Sequence, residues 1–218
     1  MGLLVRRFVV GPLDTNAYLL ADPETRHAVV IDPGAEGVRI ARAAADEGWR
    51  IRHIWITHAH FDHIAGAGEL AESLPTWPLV AMHPDDLWLW RMEGGAPLFG
   101  FHIDPGPEPT VYLHHGQQLR LGRTIVEGRH APGHSPGHVM FYLPYEGLLF
   151  AGDVVFYESV GRTDIPGGDP DALRQSIQAH VLTLPDTVRI LPGHGPETTV
   201  GHERRFNPFI ASWPEGDG

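Results

Sequence analysis

Residues 57–63 read THAHFDH. Before them stands IRHIWI (51–56), an apolar run with the look of a buried strand, and after them IAGAGELAESL (64–74), which reads as a helix. His58 and His60 are two positions apart, so on extended backbone both imidazoles point the same way. Asp62 and His63 follow at the mouth of the helix. Imidazole and carboxylate are borderline-to-hard donors that suit zinc, iron or manganese. Four donors within residues 58–63 need one crowded ion or two ions. The stretch therefore predicts a strand end that opens into a metal site.

Working outward, the same layout recurs. APGHSPGH (131–138) supplies His134 and His138, LLFAGD (148–153) ends an apolar strand on Asp153, and RILPGHG (189–195) ends another on His194. A lone histidine is ordinarily a surface or satisfied core residue, and Asp153 alone could cap a turn. The informative signal is the repetition: buried strand, Gly-containing turn, donor. A strand end is a rigid platform for a ligand.

The rest of the chain supplies the sheets. LLVRRFVV (3–10), NAYLLAD (16–22) and HAVVIDPG (27–34) read as strands, and 36–47 as a helix with Val38, Ile40, Ala41, Ala44 and Ala45 at apolar spacing. PLVAMH (78–83) is a further strand. Residues 84–109, rich in Gly and Pro, read as an irregular insertion or mobile flap. A run of strands then covers 110–153, DPDALRQSIQAHVLTL (169–184) is a helix capped by Asp169 or Asp171, and VRILPGHG (188–195) is the last strand. Each half has strands, then helix and strand. Sheets with helices outside them would bury these runs, and residues 1–218 read as one domain.

Composition narrows the chemistry. Net charge is −11, which argues against a general nucleic-acid binder. There is no cysteine, and all 16 cationic residues are arginine. Thiolate ligands, a cysteine nucleophile and any catalytic lysine are therefore excluded. The N-terminus lacks the features of a signal peptide and no stretch matches a membrane span, so a cytoplasmic protein is expected.

THAHFDHIAG, APGHSPGH, FAGD and LPGHG resemble, in order, the metal motifs of the metallo-β-lactamase superfamily, most closely its glyoxalase II-like branch. NAYLL, AVVIDPG and VGRTDIPGGD are similar to that branch as well. The resemblance runs from Asn16 to His194. It implies an α/β fold, a four-layer αββα sandwich with metals at one edge between the sheets. It implies that His58, His60 and His134 hold a first divalent ion, that Asp62, His63 and His194 hold a second, and that Asp153 bridges them. His138 becomes a supporting residue. The ions would be zinc, iron or manganese, sharing a hydroxide as nucleophile, with Asp62 both ligand and orienter.

The branch implies hydrolysis of an acyl thioester, with hydroxyacyl-glutathione as the type substrate, by a monomer or homodimer. Its full-length members carry a C-terminal helical domain for glutathione, and only 24 residues follow His194 here. The sequence thus looks like a short, single-domain subgroup. Arg162 in GRTD is a candidate anion-binding or structural residue. Arg204 and Arg205 read as solvated helix charges. Two alternatives stay open: a persulfide dioxygenase with one iron on His58, His134 and Asp153, and another ester or amide hydrolase of the fold. His83, His114 and His115 read as turn residues. Trp88, Trp90, Phe99 and Phe101 are either a wall over the metals or the packing of the insertion.

Overall fold

The computed structural model describes residues 2–213. Its first sheet contains β1 (Leu4–Val10), β2 (Thr15–Ala21), β3 (His27–Ile31), β4 (Arg50–Trp55), β5 (Leu79–Met82) and β6 (Val111–Tyr112), side by side in that order. The first three are antiparallel, and β3 to β6 are parallel. The second sheet is built from β7 (Gln117–Leu121), β8 (Thr124–His130), β9 (Val139–Leu143) and β10 (Leu148–Gly152), joined after a small hairpin of β11 (Val155–Phe156) and β12 (Ser159–Val160) by β13 (Arg189–Pro192) and β14 (Thr198–Thr199). Its order is β14-β13-β10-β9-β8-β7, and only β10 and β13 pair in parallel.

Period-two alternation sorts the apolar side chains into layers. Tyr18 and Leu20 of β2 and Val29 and Ile31 of β3 face Phe141 and Leu143 of β9 and Leu148 and Phe150 of β10. That cluster is the space between the sheets, where Trp55 stacks on Phe141 with centroids 5.3 Å apart. The intervening residues point outward and are covered too. Ala17, Leu19, Ala28 and Val30 pack with Ile40 and Ala44 of α1 (Gly37–Asp46) and Ala67 and Leu70 of α3 (Ala67–Glu72). Met140, Tyr142, Leu149 and Ala151 pack with Leu173 and Ile177 of α5 (Pro170–His180). The result is the four-layer αββα sandwich, and strands buried on both faces explain the continuous apolar runs. Asp169, not Asp171, caps α5, accepting from the Asp171 and Ala172 amides.

Three sequence expectations are corrected. In α1, Val38 and Ala45 are exposed and Gly37 takes the buried place, because Ile40, Ala41 and Ala44 already fill the stripe facing the sheet. The helix expected over 64–74 is two pieces, α2 (Phe61–Ile64) and α3. The Gly66 amide bonds Pro33 O at 2.8 Å, outside the helix ladder, and breaks it there. The 84–109 segment is more ordered than expected: a 3-10 turn at Pro84–Asp86, α4 (Leu87–Arg91) and a second 3-10 stretch at Glu93–Phe99. Two further helices, α6 (Val200–Phe206) and α7 (Pro208–Ala211), follow β14. Among the described residues no helix is long and apolar enough to cross a membrane.

Phe141→Ala should lose about 3–5 kcal/mol of stability in urea unfolding, because Phe141 fills the space between the sheets. Val38→Ala should stay within ~0.5 kcal/mol of the parent, as a surface change does. A large loss on replacing Val38 would contradict its exposed placement.

Candidate metal centre

The donors predicted from sequence meet at one edge of the sandwich. His58 and His60 leave the end of β4, with Asp62 and His63 in the short helix α2. His134 lies in the turn between β8 and β9, Asp153 directly follows β10, and His194 follows β13. In parallel strands the C-terminal ends share an edge, which is where open α/β sheets bind ligands. Several links close that edge, among them Val139 N donating to Thr57 O at 2.7 Å and the buried Asn16 donating through Nδ2 to Pro192 O at 3.0 Å and Gly195 O at 2.9 Å.

Two donor sets result. In the first, His134 Nε2 lies 2.9 Å from His60 Nδ1, 3.2 Å from His58 Nε2 and 3.6 Å from Asp153 Oδ2. In the second, His194 Nε2 lies 3.1 Å from Asp62 Oδ2, and His63 Nε2 is 3.5 Å from Asp62 Oδ2. Asp153 touches both, with Oδ1 3.4 Å from His63 Nε2 and Oδ2 3.6 Å from His194 Nε2.

Hydrogen bonds fix the tautomers of four of the rings. The Thr57 hydroxyl gives its proton to Asp32 Oδ2 at 2.6 Å, so at 3.0 Å it accepts from His58 Nδ1. His134 Nδ1 donates to Arg162 O at 2.8 Å, His63 Nδ1 to Asp32 Oδ2 at 3.0 Å, and His194 Nδ1 to Leu13 O at 3.0 Å. In each ring the second nitrogen is left to face the centre. Partners of this kind orient histidine ligands in metal sites. His63 Nε2 and Asp153 Oδ1 are buried without a hydrogen-bond partner. Orphaned polar atoms inside a protein are rare; here the two lie 3.4 Å apart, where a cation would satisfy them.

The electrostatics agree. Burial drives the His58 imidazole well below its ordinary range, the neighbouring rings push it the same way, and for the same reasons His60 falls to about 3. Neutral rings are what a cation requires. Burial opposes a charge on His63 as well, but the Asp62 and Asp153 carboxylates outweigh it and hold that ring well above its usual range. Burial also resists ionisation of Asp153, yet His63 and then His134 and His194 hold its carboxyl far below the usual carboxylate range. The space between the two carboxylates calls for positive charge.

The other sequence candidates lie apart from these sets. His138 is buried and accepts the Asp153 amide on Nε2 at 3.0 Å, so it holds Asp153 and leaves the centre alone. The Arg162 side chain is exposed and paired with Asp164 at 2.8 and 3.0 Å, while its carbonyl serves His134. Arg204 ties α6 to Leu182 O, Leu184 O and Asp186. Trp90 is core, whereas exposed Phe99 and Phe101 gather on Phe61 at 5.5 and 5.1 Å between centroids. His83 stacks face to face on His130 at 3.9 Å. Sequence reasoning passed over Asp32, Thr57 and Thr15. The only local trace of Asp32 is its place after a buried strand in VVIDPG.

The family model described as Metallo-beta-lactamase superfamily matches residues 10–194. The hydroxyacylglutathione hydrolase GloC of Haemophilus influenzae is 34% identical over 204 residues, covering 93% of this chain and 96% of that protein. The mitochondrial persulfide dioxygenase ETHE1 of Homo sapiens is 33% identical over 213 residues, covering 95% of this chain and 76% of that one. Among solved structures, BLEG-1 B3 metallo-beta-lactamase superposes with a TM-score of 0.88 at 35% identity, covering 96% of this chain and all (100%) of that one. TTHA1623 in a di-iron-bound form superposes at 0.84 with 42% identity, covering 94% of this chain and 100% of that one.

A Cβ added at Gly193 would stand 2.1 Å from Asp153 Oδ1 and 2.8 Å from His63 Cε1. Gly193→Ala should therefore bind fewer divalent ions per chain than the parent while keeping its far-ultraviolet circular dichroism. Parental metal content by elemental analysis would show that the cradle tolerates the methyl group.

Proposed function

The chain belongs to the metallo-beta-lactamase superfamily, and we propose that within it this protein is a two-metal hydrolase of acyl thioesters, of the hydroxyacylglutathione hydrolase kind. The observation that carries the reading is the completeness of the second donor set. Asp62, His63 and His194 converge as closely as the first set does, with two orphaned buried atoms between them and Asp153. One ion needs only the first set.

His58, His60, His134 and Asp153 would hold one cation, and Asp62, His63, His194 and Asp153 the other. Divalent cations there would supply Lewis acidity at a carbonyl oxygen and would bring a water's pKa toward neutrality. The chain's own residues set the stage for that. Thr15 Oγ1 donates to Asp62 Oδ2 at 3.1 Å and holds the carboxylate that would orient an attacking water. With cysteine and lysine absent, a water nucleophile suits the composition. The substrate is a small acyl thioester, and likeness to GloC over 93% of the chain supports that class.

A second reading has its own support. ETHE1 is nearly as similar over 95% of this chain, and a dioxygenase needs open positions on a single iron. Metal count separates the two. Protein purified without chelators should carry close to two metals per chain and hydrolyse hydroxyacyl-glutathione or a related thioester. One iron per chain with oxygen uptake on glutathione persulfide would replace the hydrolase with the dioxygenase. Asp62→Ala should lose about one metal equivalent and at least ~100-fold in kcat; unchanged turnover would remove the two-metal mechanism.

A further inference from the structure

The 84–109 segment opens on a carboxylate that nothing above uses. Asp86 is fully buried at the end of the 3-10 turn that follows β5. Its Oδ2 accepts from the Ala59 amide at 3.0 Å and from Ser135 Oγ at 2.7 Å, and its Oδ1 accepts from the Gly137 amide at 2.6 Å. Ala59 lies between His58 and His60. Ser135 follows His134, and Gly137 precedes His138. One carboxylate therefore holds two loops that come from different sheets and carry the three histidines of the first donor set.

The surroundings are built for this contact. A Cβ at Gly137 would lie 2.6 Å from Asp86 N and 2.8 Å from Oδ1, so only glycine lets that amide reach the carboxylate. Leu89 and Trp90 anchor α4 in the core beside Asp86. Further along, Gly94 lies against the Phe61 amide and Ala59 O, where a Cβ would come within 2.3 and 2.8 Å. The segment thus packs along the backbone that presents His58 and His60. A buried carboxylate is tolerated only where donors satisfy it, and all three donors here belong to the histidine loops. Charge-assisted bonds to amides are short and directional, so they set the distance between the loops.

We propose that Asp86 is a positioning residue for the first metal set: it fixes the spacing of His58 and His60 against His134 without touching ion or substrate. The proposal rests on the reading that these histidines hold a divalent cation. Cobalt(II) is the probe, titrated into chelator-stripped protein against a chromophoric competitor. An Asp62→Ala background weakens the second set, so the constant that remains reports the first. There, Asp86→Asn should bind cobalt about 10–100-fold more weakly and shift its visible absorption bands, as loss of a partner behind a ligand does. With Asp62 intact, the second constant should move less than threefold.

Ser135→Ala, which removes one donor of three, should act in the same direction and more mildly. If Asp86→Asn does not fold, Ser135→Ala decides: threefold or more weaker first-set binding supports the proposal, and unchanged binding overturns it. An Asp86→Asn protein with parental cobalt affinity and spectrum overturns it, as does equal weakening of both sets. A parent chain that binds no cobalt would overturn the metal reading and this proposal together, whereas two tight ions in parent and variant alike would overturn this proposal alone.

Discussion

A concentration of imidazole and carboxylate groups at one edge of the sandwich is the constraint from which the rest of this structure follows. Five imidazoles and two carboxylates share one edge, with ring nitrogens 2.9–3.6 Å from one another and from carboxylate oxygens. Lone pairs at such distances repel unless positive charge stands among them. A buried negative group is tolerated only when it is paired or coordinates a metal. The surrounding structure leaves the donors nowhere else to go, and a cation would complete the arrangement.

The scaffold supplies that rigidity in layers. Strands apolar on both faces lock the sheets between helices, and their ends deliver donors from β4, β10 and β13 to one edge. A set of acceptors behind the donors then dictates orientation. Asp32, in a left-handed conformation at φ 49°, accepts from Thr57 N at 2.7 Å and from His63. Its position couples the tautomers of His58 and His63, which belong to different donor sets. The two donor sets are thus tied through Asp32 behind the rings as well as through Asp153.

Asp86 extends the same logic to the far side of the first set. Asp32 works mainly through side chains and Asp86 mainly through backbone amides, so one governs ring orientation and the other loop spacing. Residues 84–109 look like an embellishment in the linear chain. In the fold they are the brace of the histidine loops, with Phe99 and Phe101 left exposed around Phe61.

The donors themselves were legible from sequence, because four crowd into THAHFDH after an apolar run and His134, Asp153 and His194 each follow a Gly-containing turn beside a strand. The layering was legible for a similar reason, since alternation and continuous burial are local patterns. What sequence misjudged was local structure overridden by contacts. Val38 has apolar spacing but faces water, and the helix after His63 breaks because the Gly66 amide finds Pro33 O. The supporting shell was illegible for a deeper reason. Leu13 O and Arg162 O are backbone atoms with no residue signature, and Asp32 and Asp86 are single carboxylates far along the chain from the histidines they serve. Sequence alone determined which groups are available to bind a metal; only the tertiary structure decided which nitrogen of His63, His134 and His194 faces the centre, because that choice belongs to acceptors that meet those rings across the fold.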